Sequence, residues 1–441
     1  MTRDLIQRLA AASSEEEKYW LLTEALLQQQ PAVLADLALA AAVLRWFDLD
    51  LVRHFLPAAE KNNAADWLEA LKRLSFVERY PAERWNVHEL TRQAILWHLW
   101  REEADRYRAL SAEAAAFFDR PADDWPAAVE RLYHRAISEP YEARQAFHDL
   151  AWDFQLHDNY LGWEALDAAL SEHRGHGRLD ARFSARTRLS EAGLAAMQYR
   201  HADAQQHYRQ ALALYQQVQD RLGEANCLKG LAAVEAFLKQ HADAQQHYRQ
   251  ALALFQQVQD RLGEANCLLG LADVEAFLNQ HADAQQHYRQ ALALYQQVQS
   301  RLGEAHCLQG LAAVTRAQDG PAAALSGYAE ALPIYLDEVG DRQGAAECLL
   351  AWGEALVLTG NLDAAAAHHA AAVDHAEATG DRWTRTQLWR LQGDIARQRG
   401  DVAAARAAYQ EALTLAATIA GTDWWIVTVH ERLLALPSES V

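Results

Sequence analysis

Residues 201–240 read HADAQQHYRQALALYQQVQDRLGEANCLKGLAAVEAFLKQ, and residues 241–280 repeat them with four changes: Tyr215/Phe255, Lys229/Leu269, Ala233/Asp273 and Lys239/Asn279. A third copy runs from His281 to Gly320 and diverges after Val314. A fixed period of this length means stacked supersecondary units, each burying its apolar face against the next. Each copy holds two helical stretches. Within 201–219, Ala204, Tyr208, Ala211 and Tyr215 fall on one face at three- and four-residue steps, as do Cys227, Leu231 and Val234 within 222–238. Two antiparallel helices per unit follow. Gly223, Gly263 and Gly303 precede the second stretch and are expected to ease the chain reversal there.

The pattern of Ala, an aromatic four residues on and Ala three further occurs as Ala204-Tyr208-Ala211, Ala244-Tyr248-Ala251, Ala284-Tyr288-Ala291, Ala324-Tyr328-Ala331, Ala365-His369-Ala372 and Ala405-Tyr409-Ala412. These six units resemble the tetratricopeptide repeat, whose second helix carries that signature. The family's Leu-Gly pair on the first helix is matched by Leu231-Ala232, Leu271-Ala272 and Leu311-Ala312, then by Trp352-Gly353 and Gln392-Gly393. The period is 40 residues rather than about 34, which implies longer helices, as in the kinesin-light-chain type. His369 departs from the aromatic. The resemblance covers roughly residues 180–420, with six units in 186–420 and a capping helix in 421–441 around Trp424 and Trp425.

The N-terminal half has another texture. Helices are expected at 33–46, 51–56, 64–74 and 89–100, with Asp48 or Asp50 as a cap and a hairpin of 75–80 and 84–88 around Pro81-Ala82-Glu83. The runs ALAAAVLRWFDLDLVRHFL (38–56), LEALKRLSFVERY (68–80) and WNVHELTRQAILWHL (85–99) resemble the winged helix of STAND or NB-ARC-type signalling NTPases, which often continues into tetratricopeptide repeats. That family opens its last helix with Met-His-Asp, whose histidine senses the nucleotide phosphate. Val87-His88-Glu89 stands here, so the resemblance implies that His88 is a vestigial sensor. No G-x-x-x-x-G-K-[ST] loop exists to cradle a triphosphate. The expected organisation is short helices in 1–30, the tail of a helical subdomain; a winged-helix-like domain in 31–105; a helical connector in 106–185, with 173–177 as a loop; then the repeats. The fold class is all-α, a superhelical solenoid preceded by a winged-helix-like domain with one small β-hairpin.

Charge and chemistry narrow the function. The 441 residues carry a net charge of -19, opposite to a nucleic-acid or anionic-lipid footprint. Within 31–100, eight Lys and Arg face nine Asp and Glu, and the last helix offers only Arg92 and Arg101 to a phosphate backbone. Nucleic-acid binding is not expected. No apolar run reaches the ~18 residues of a membrane span, and a cytoplasmic location is expected.

Cys227, Cys267, Cys307 and Cys348 are one repeat position, spaced by 40, 40 and 41 residues. Such positions lie about a helix diameter apart, ~10 Å, beyond the ~7 Å limit for a disulfide, so reduced core thiols are expected. His201 and His207 point about 240° apart around a helix and share no metal. No nucleophile elbow or Cys-His signature accompanies them, and neither catalysis nor a cofactor is expected.

In the tetratricopeptide family the first helices line the concave groove. Carried over with Cys227 and Leu231 as core, the groove face is Asn226, Lys229, Ala233, Ala236 and Phe237, then Asn266, Leu269, Asp273, Ala276 and Phe277, then His306, Gln309, Ala313 and Arg316. Glu347, Leu350 and Glu354 follow, then Gln387, Arg390, Asp394 and Arg397. Phe237 and Phe277 are expected to offer apolar pockets. Two of the four changes between the near-identical copies, Lys229/Leu269 and Ala233/Asp273, fall on this face. The leading reading is a non-enzymatic adaptor that binds a protein or peptide in the groove, the sensor half of a STAND-like system working with a separate P-loop NTPase. The alternatives are a winged-helix transcription regulator with a repeat sensor, and a plain assembly scaffold.

Overall fold

A computed structural model describes residues 3–119, 124–157, 159–419 and 421–437, so residues 1–2 and 438–441 of the expected terminal segments lie outside it. It holds 23 α-helices and one two-stranded sheet among the described residues. The chain divides into two compact units, Met1–Thr187 and Arg188–Val441.

The first unit contains α1 (Arg3–Ala11), α2 (Glu15–Leu27), α3 (Ala32–Val43), α4 (Leu49–Phe55), α5 (Ala64–Lys72), β1 (Val77–Tyr80), β2 (Arg84–Val87), α6 (Glu89–Glu102), α7 (Ala104–Phe117), α8 (Trp125–Ser138), α9 (Pro140–Leu156) and α10 (Tyr160–Gly175). Asp48 caps α4, its side chain accepting from the amides of Asp50 and Leu51. The hairpin is antiparallel, pairing Val77 with Val87 and Tyr80 with Arg84. Phe47 extends it as a single bridging residue, exchanging backbone hydrogen bonds of 2.7 and 2.9 Å with Trp85. The order is therefore helix, bridge, helix, helix, hairpin, helix. Residues 37–43 of α3 are all apolar and all buried, as expected for a helix segment enclosed by its neighbours. Leu37, Phe47, Leu51, Val87, Ile95 and Tyr107 form the middle of this core. Residues 173–175, expected in a loop, continue α10, because the His173 ring is buried and its Nε2 lies 3.0 Å from the Tyr133 carbonyl.

α11 (Ala181–Met197) leads into the second unit, which continues as α12 (His201–Gln217), α13 (Arg221–Phe237), α14 (His241–Val258), α15 (Arg261–Phe277), α16 (His281–Gln297), α17 (Arg301–Asp319), α18 (Pro321–Pro333), α19 (Arg342–Leu358), α20 (Leu362–Thr379), α21 (Arg382–Gln398), α22 (Val402–Ala416) and α23 (Asp423–Leu434). A wider π-helical turn, Ile334–Val339, prolongs α18 beyond Pro333. The six signature pairs of alanines are all essentially inaccessible to solvent. Between them the second-helix rings press onto glycines of the next helix. A Cβ on Gly230 would fall 2.3 Å from the Tyr208 ring, and one on Gly223 would fall 2.2 Å from Tyr215.

That contact corrects the expected role of Gly223, Gly263 and Gly303. All three sit buried within the first turn of a helix, beneath Tyr215, Phe255 and Tyr295. The reversals are made elsewhere, by Tyr199, Gln219, Lys239, Gln259, Asn279 and Gln299, with φ between 55° and 62°. Further on, Gly320, Gly340, Gly360, Gly380, Gly400 and Gly421 turn the chain with positive φ. α23 packs Trp425 and Val429 against Tyr409, Ala412 and Ala416 of α22, shielding the last pair. All four cysteines are free and buried, and burial pushes the thiols of Cys267, Cys307 and Cys348 up to about 12.

Candidate functional site

The face expected to form the groove, on the odd-numbered helices α13 to α21, mixes apolar and polar residues, and most of the polar groups are tied to their neighbours. The Tyr295 hydroxyl donates to Asn266 Oδ1 at 2.7 Å, and the Tyr288 hydroxyl to Asp273 Oδ1 at 2.6 Å. The Tyr335 hydroxyl lies 2.7 Å from His306 Nδ1 and donates to Gln309 Oε1 at 2.9 Å. Burial lowers the proton affinity of His306, leaving it neutral. Further along, Arg316 pairs with Glu354 at 2.9 Å, Glu354 also with Arg390, and Arg390 with Asp394 at 2.8 Å. The Tyr409 hydroxyl completes this chain by donating to Asp394 Oδ1 at 2.7 Å. Burial raises the Glu354 carboxyl, but the guanidinium groups of Arg390 and Arg316 outweigh it and hold Glu354 ionised.

Two charged candidates stand apart. Lys229 has no hydrogen bond or ion pair among the described residues, and burial lowers its ammonium. Glu347 receives one long hydrogen bond, 3.3 Å from Gln343 Nε2. Burial pushes the Glu347 carboxyl up to about 7 against that hydrogen bond, with Asp381, Asp341 and Asp273 adding to the effect. The Asp273 side chain keeps some contact with solvent, yet desolvation by its surroundings pushes the carboxyl up to about 6, against the Tyr288 hydrogen bond.

The two phenylalanines part company. Phe277 is 51% exposed, with the Lys239 ammonium 3.6 Å from its ring centre. Phe237 opens no pocket, because it is partly covered by His201 at 4.6 Å and by Trp383 at 5.7 Å between ring centres. Trp383 belongs to α21, so the solenoid meets itself. The same seam holds a Tyr199 hydroxyl hydrogen bond to Asp381, and Lys239 lies 3.9 Å from the ring of Trp424. Ala233 and Leu269 line the face without polar partners.

Reading the spacing alone missed the hydroxyls that reach the groove from the even-numbered helices. A signal was present: Asp273 precedes Tyr288, and Asp394 precedes Tyr409, by fifteen residues each. In the first unit, His88 is exposed at the start of α6, its amide donating to the Phe76 carbonyl at 2.7 Å. Arg92, counted as a possible phosphate contact, is 4% exposed and bound to Glu172 at 2.8 Å, to the Tyr133 hydroxyl at 2.7 Å and to the Leu44 carbonyl at 3.3 Å. Burial alone would raise Glu172, but Arg92 holds it at about 2. Among the described residues no cluster of three His, Cys, Asp or Glu is placed to hold a metal ion, and no helix is long and apolar enough to cross a membrane.

A family model described as a tetratricopeptide repeat matches residues 184–257, 230–297 and 264–337. No curated protein sequence matches the chain. Among solved structures, NprR in complex with its cognate peptide NprX is similar with a TM-score of 0.54 at 13% identity, over 78% of this chain and 93% of that one. A Rap protein complexed with Competence and Sporulation Factor gives 0.50 at 15% identity, over 77% and 94%. A STAND protein with a tetratricopeptide repeat sensor from Pyrococcus horikoshii gives 0.43 at 13% identity, over 97% and 69%. The helix pairs of residues 184–337 are tetratricopeptide repeats, and the second unit is a solenoid of that type.

Proposed function

We propose that the groove of the repeats is a receptor for an extended peptide or protein segment, and that the chain works by binding rather than by catalysis. The observation that carries this reading is where the near-identical copies differ. Two of the four changes fall at groove positions, one running Lys229, Leu269, Gln309 and the other Ala233, Asp273, Ala313, whereas the one core change, Tyr215/Phe255, removes only a hydroxyl. Lys229, without an ion-pair partner among the described residues, and Glu347, held by a single long hydrogen bond, leave polar capacity for a ligand to satisfy, and a poorly partnered buried group gains most from a partner. Asn226, Asn266, His306 and Gln309 add hydrogen-bonding capacity between them.

In this reading residues 1–30 are the remnant of a helical subdomain, 31–105 a winged helix, 106–185 a connector, 186–420 six repeats and 421–441 a cap. The helix-bridge-helix-helix-hairpin order supports the winged helix, and the exposed His88 at the head of α6 supports descent from a nucleotide sensor. The chain then acts as the sensor and adaptor half of a STAND-like system, partnered by a separate P-loop NTPase in the cytoplasm. The DNA-binding alternative loses ground because Arg92 is locked to Glu172 and unavailable to phosphate.

A photo-crosslinking residue at position 269, in the groove, compared with one at exposed Arg249 on α14, tests the site in lysate of the source cells. Capture of one polypeptide from position 269 alone is the expected result. Equal capture from both positions overturns it.

A further inference from the structure

One repeat lacks the ring that fills the others. At the place of Tyr208, Tyr248, Tyr288, Tyr328 and Tyr409 stands His369, and the glycine against which Tyr248 packs, Gly270, is matched 121 residues on by Leu391. The smaller imidazole turns toward the backbone, its Nε2 3.1 Å from the Leu388 carbonyl. A cavity of about 230 Å³ is left between α20 and α21, lined by His369, Val373, Glu377, Leu388, Trp389 and Gln392, with Arg385 at its edge.

The rim has changed with the floor. In the second copy, Gln256 donates to Glu264 at 3.1 Å. The residues 121 positions on are Glu377 and Arg385, opposite charges with no side-chain hydrogen bond or ion pair among the described residues. The buried Leu271 is likewise matched by the exposed Gln392. Together these five substitutions leave, in place of the packed interface of the second copy, an open pocket with an aromatic wall and two charges of opposite sign that are unpaired among the described residues. On α21 the lining residues Arg385, Trp389 and Gln392 project about 180° away from the groove residues Gln387, Arg390 and Asp394 at 100° per residue. The pocket is thus separate from the groove.

We propose that this pocket binds a free aromatic amino acid, with the ring against Trp389, the carboxylate on the Arg385 guanidinium and the ammonium on Glu377. A guanidinium fork matches a carboxylate in two parallel hydrogen bonds. The cavity is smaller than the ~300–1,000 Å³ of sites for larger ligands, which suits a single residue with one ring. The three charge and shape elements together exclude aliphatic acids, which leave Trp389 uncovered, and neutral aromatics, which leave Arg385 and Glu377 unpaired.

Calorimetric titration of the full chain with L-phenylalanine, phenylalaninamide and N-acetylphenylalanine tests this. Saturable binding of phenylalanine is expected, weaker by about tenfold or more for each derivative, since each removes one charge-assisted contact. His369→Tyr combined with Leu391→Gly, which restores the pairing of Tyr248 with Gly270, should fill the cavity and abolish binding while the chain stays folded. Arg385→Gln, at the rim, should weaken binding with melting unchanged. No saturable heat with phenylalanine, equal binding of the derivatives, or undiminished binding in Arg385→Gln overturns the proposal. Peptide capture in the groove is read independently and does not depend on any of these results.

Discussion

The Tyr199 hydroxyl donates a 2.7 Å hydrogen bond to Asp381, a residue 182 positions away in the chain. Asp381 is also the cap of α21, accepting from the amides of Trp383 and Thr384, so one carboxylate joins a helix end to the far side of the solenoid. Tyr199→Phe removes only the hydroxyl and should lower stability by about 1 kcal/mol, the net worth of such a bond. Denaturant melts measure it, and an unchanged midpoint would mean that the seam is open in solution.

Aromatic truncations separate the faces. Tyr248 is 6% exposed against Gly270, and Tyr248→Ala should cost about 3–5 kcal/mol, as for a large buried ring. Phe277→Ala, at a ring 51% exposed, should cost well under half of that. Phe237→Ala should fall between them, because its ring is shared with His201 and Trp383. Thermal melts that place Phe237→Ala level with Phe277→Ala would contradict the seam.

The buried Tyr328 hydroxyl has no hydrogen-bond partner among the described residues, while Tyr288 and Tyr409 donate to an aspartate fifteen residues upstream. The corresponding position for Tyr328 is Ala313. Ala313→Asp should therefore raise stability by about 0.5–1.5 kcal/mol, and the gain should vanish in a Tyr328→Phe background. A gain that persists there would point to some other contact.

Two carboxyls should oppose the acid destabilisation that buried histidines such as His134 and His173 bring, since burial lowers the pKa of those rings to about 3. The Glu347 carboxyl is raised from 4.5 to about 7 and that of Asp273 from 3.8 to about 6, so the folded chain holds more protons than the unfolded one between those values. Stability from these groups therefore increases as pH falls from about 7 toward 4.5. Glu347→Gln should remove that contribution, so the variant should lose stability on acidification more steeply than the parent chain in melts taken across the range. An unaltered slope would place the titration elsewhere.

Six helix reversals spend a non-glycine residue in the left-handed region, among them Gln219, Gln259 and Gln299. Changing each to Gly should stabilise the chain by about 0.5–1 kcal/mol, additive across the three because they are well separated. Chemical denaturation of the triple variant checks the sum.

The period, the helix faces and the thiols were legible because they depend on spacing within one helix and on nearest-neighbour stacking. Tyr208, Ala211 and Cys227 announce their burial at three- and four-residue steps. The meeting of Phe237 with Trp383 was not legible, since it depends on small rotations accumulated over five helix pairs. Nor was the role of Gly223: a glycine near a turn is ambiguous between backbone freedom and room for a ring, and only the position of Tyr215 decides. Arg92 was misjudged for a related reason. Its charge suggested a surface, whereas Glu172, eighty residues later, carries the partner that lets it be buried.

The seam also bears on heredity. Tandem copies that differ at four places in forty invite unequal recombination, and a gained or lost copy would keep the reading frame and every nearest-neighbour contact intact. Local folding is therefore blind to copy number. Tyr199 with Asp381, and Lys239 with Trp424, are not: they meet only when a set number of units separates them. An array one unit longer or shorter would still fold pair by pair, yet lose both contacts together, so the closing contacts act as a ruler by which selection can hold the length of an otherwise freely expandable gene.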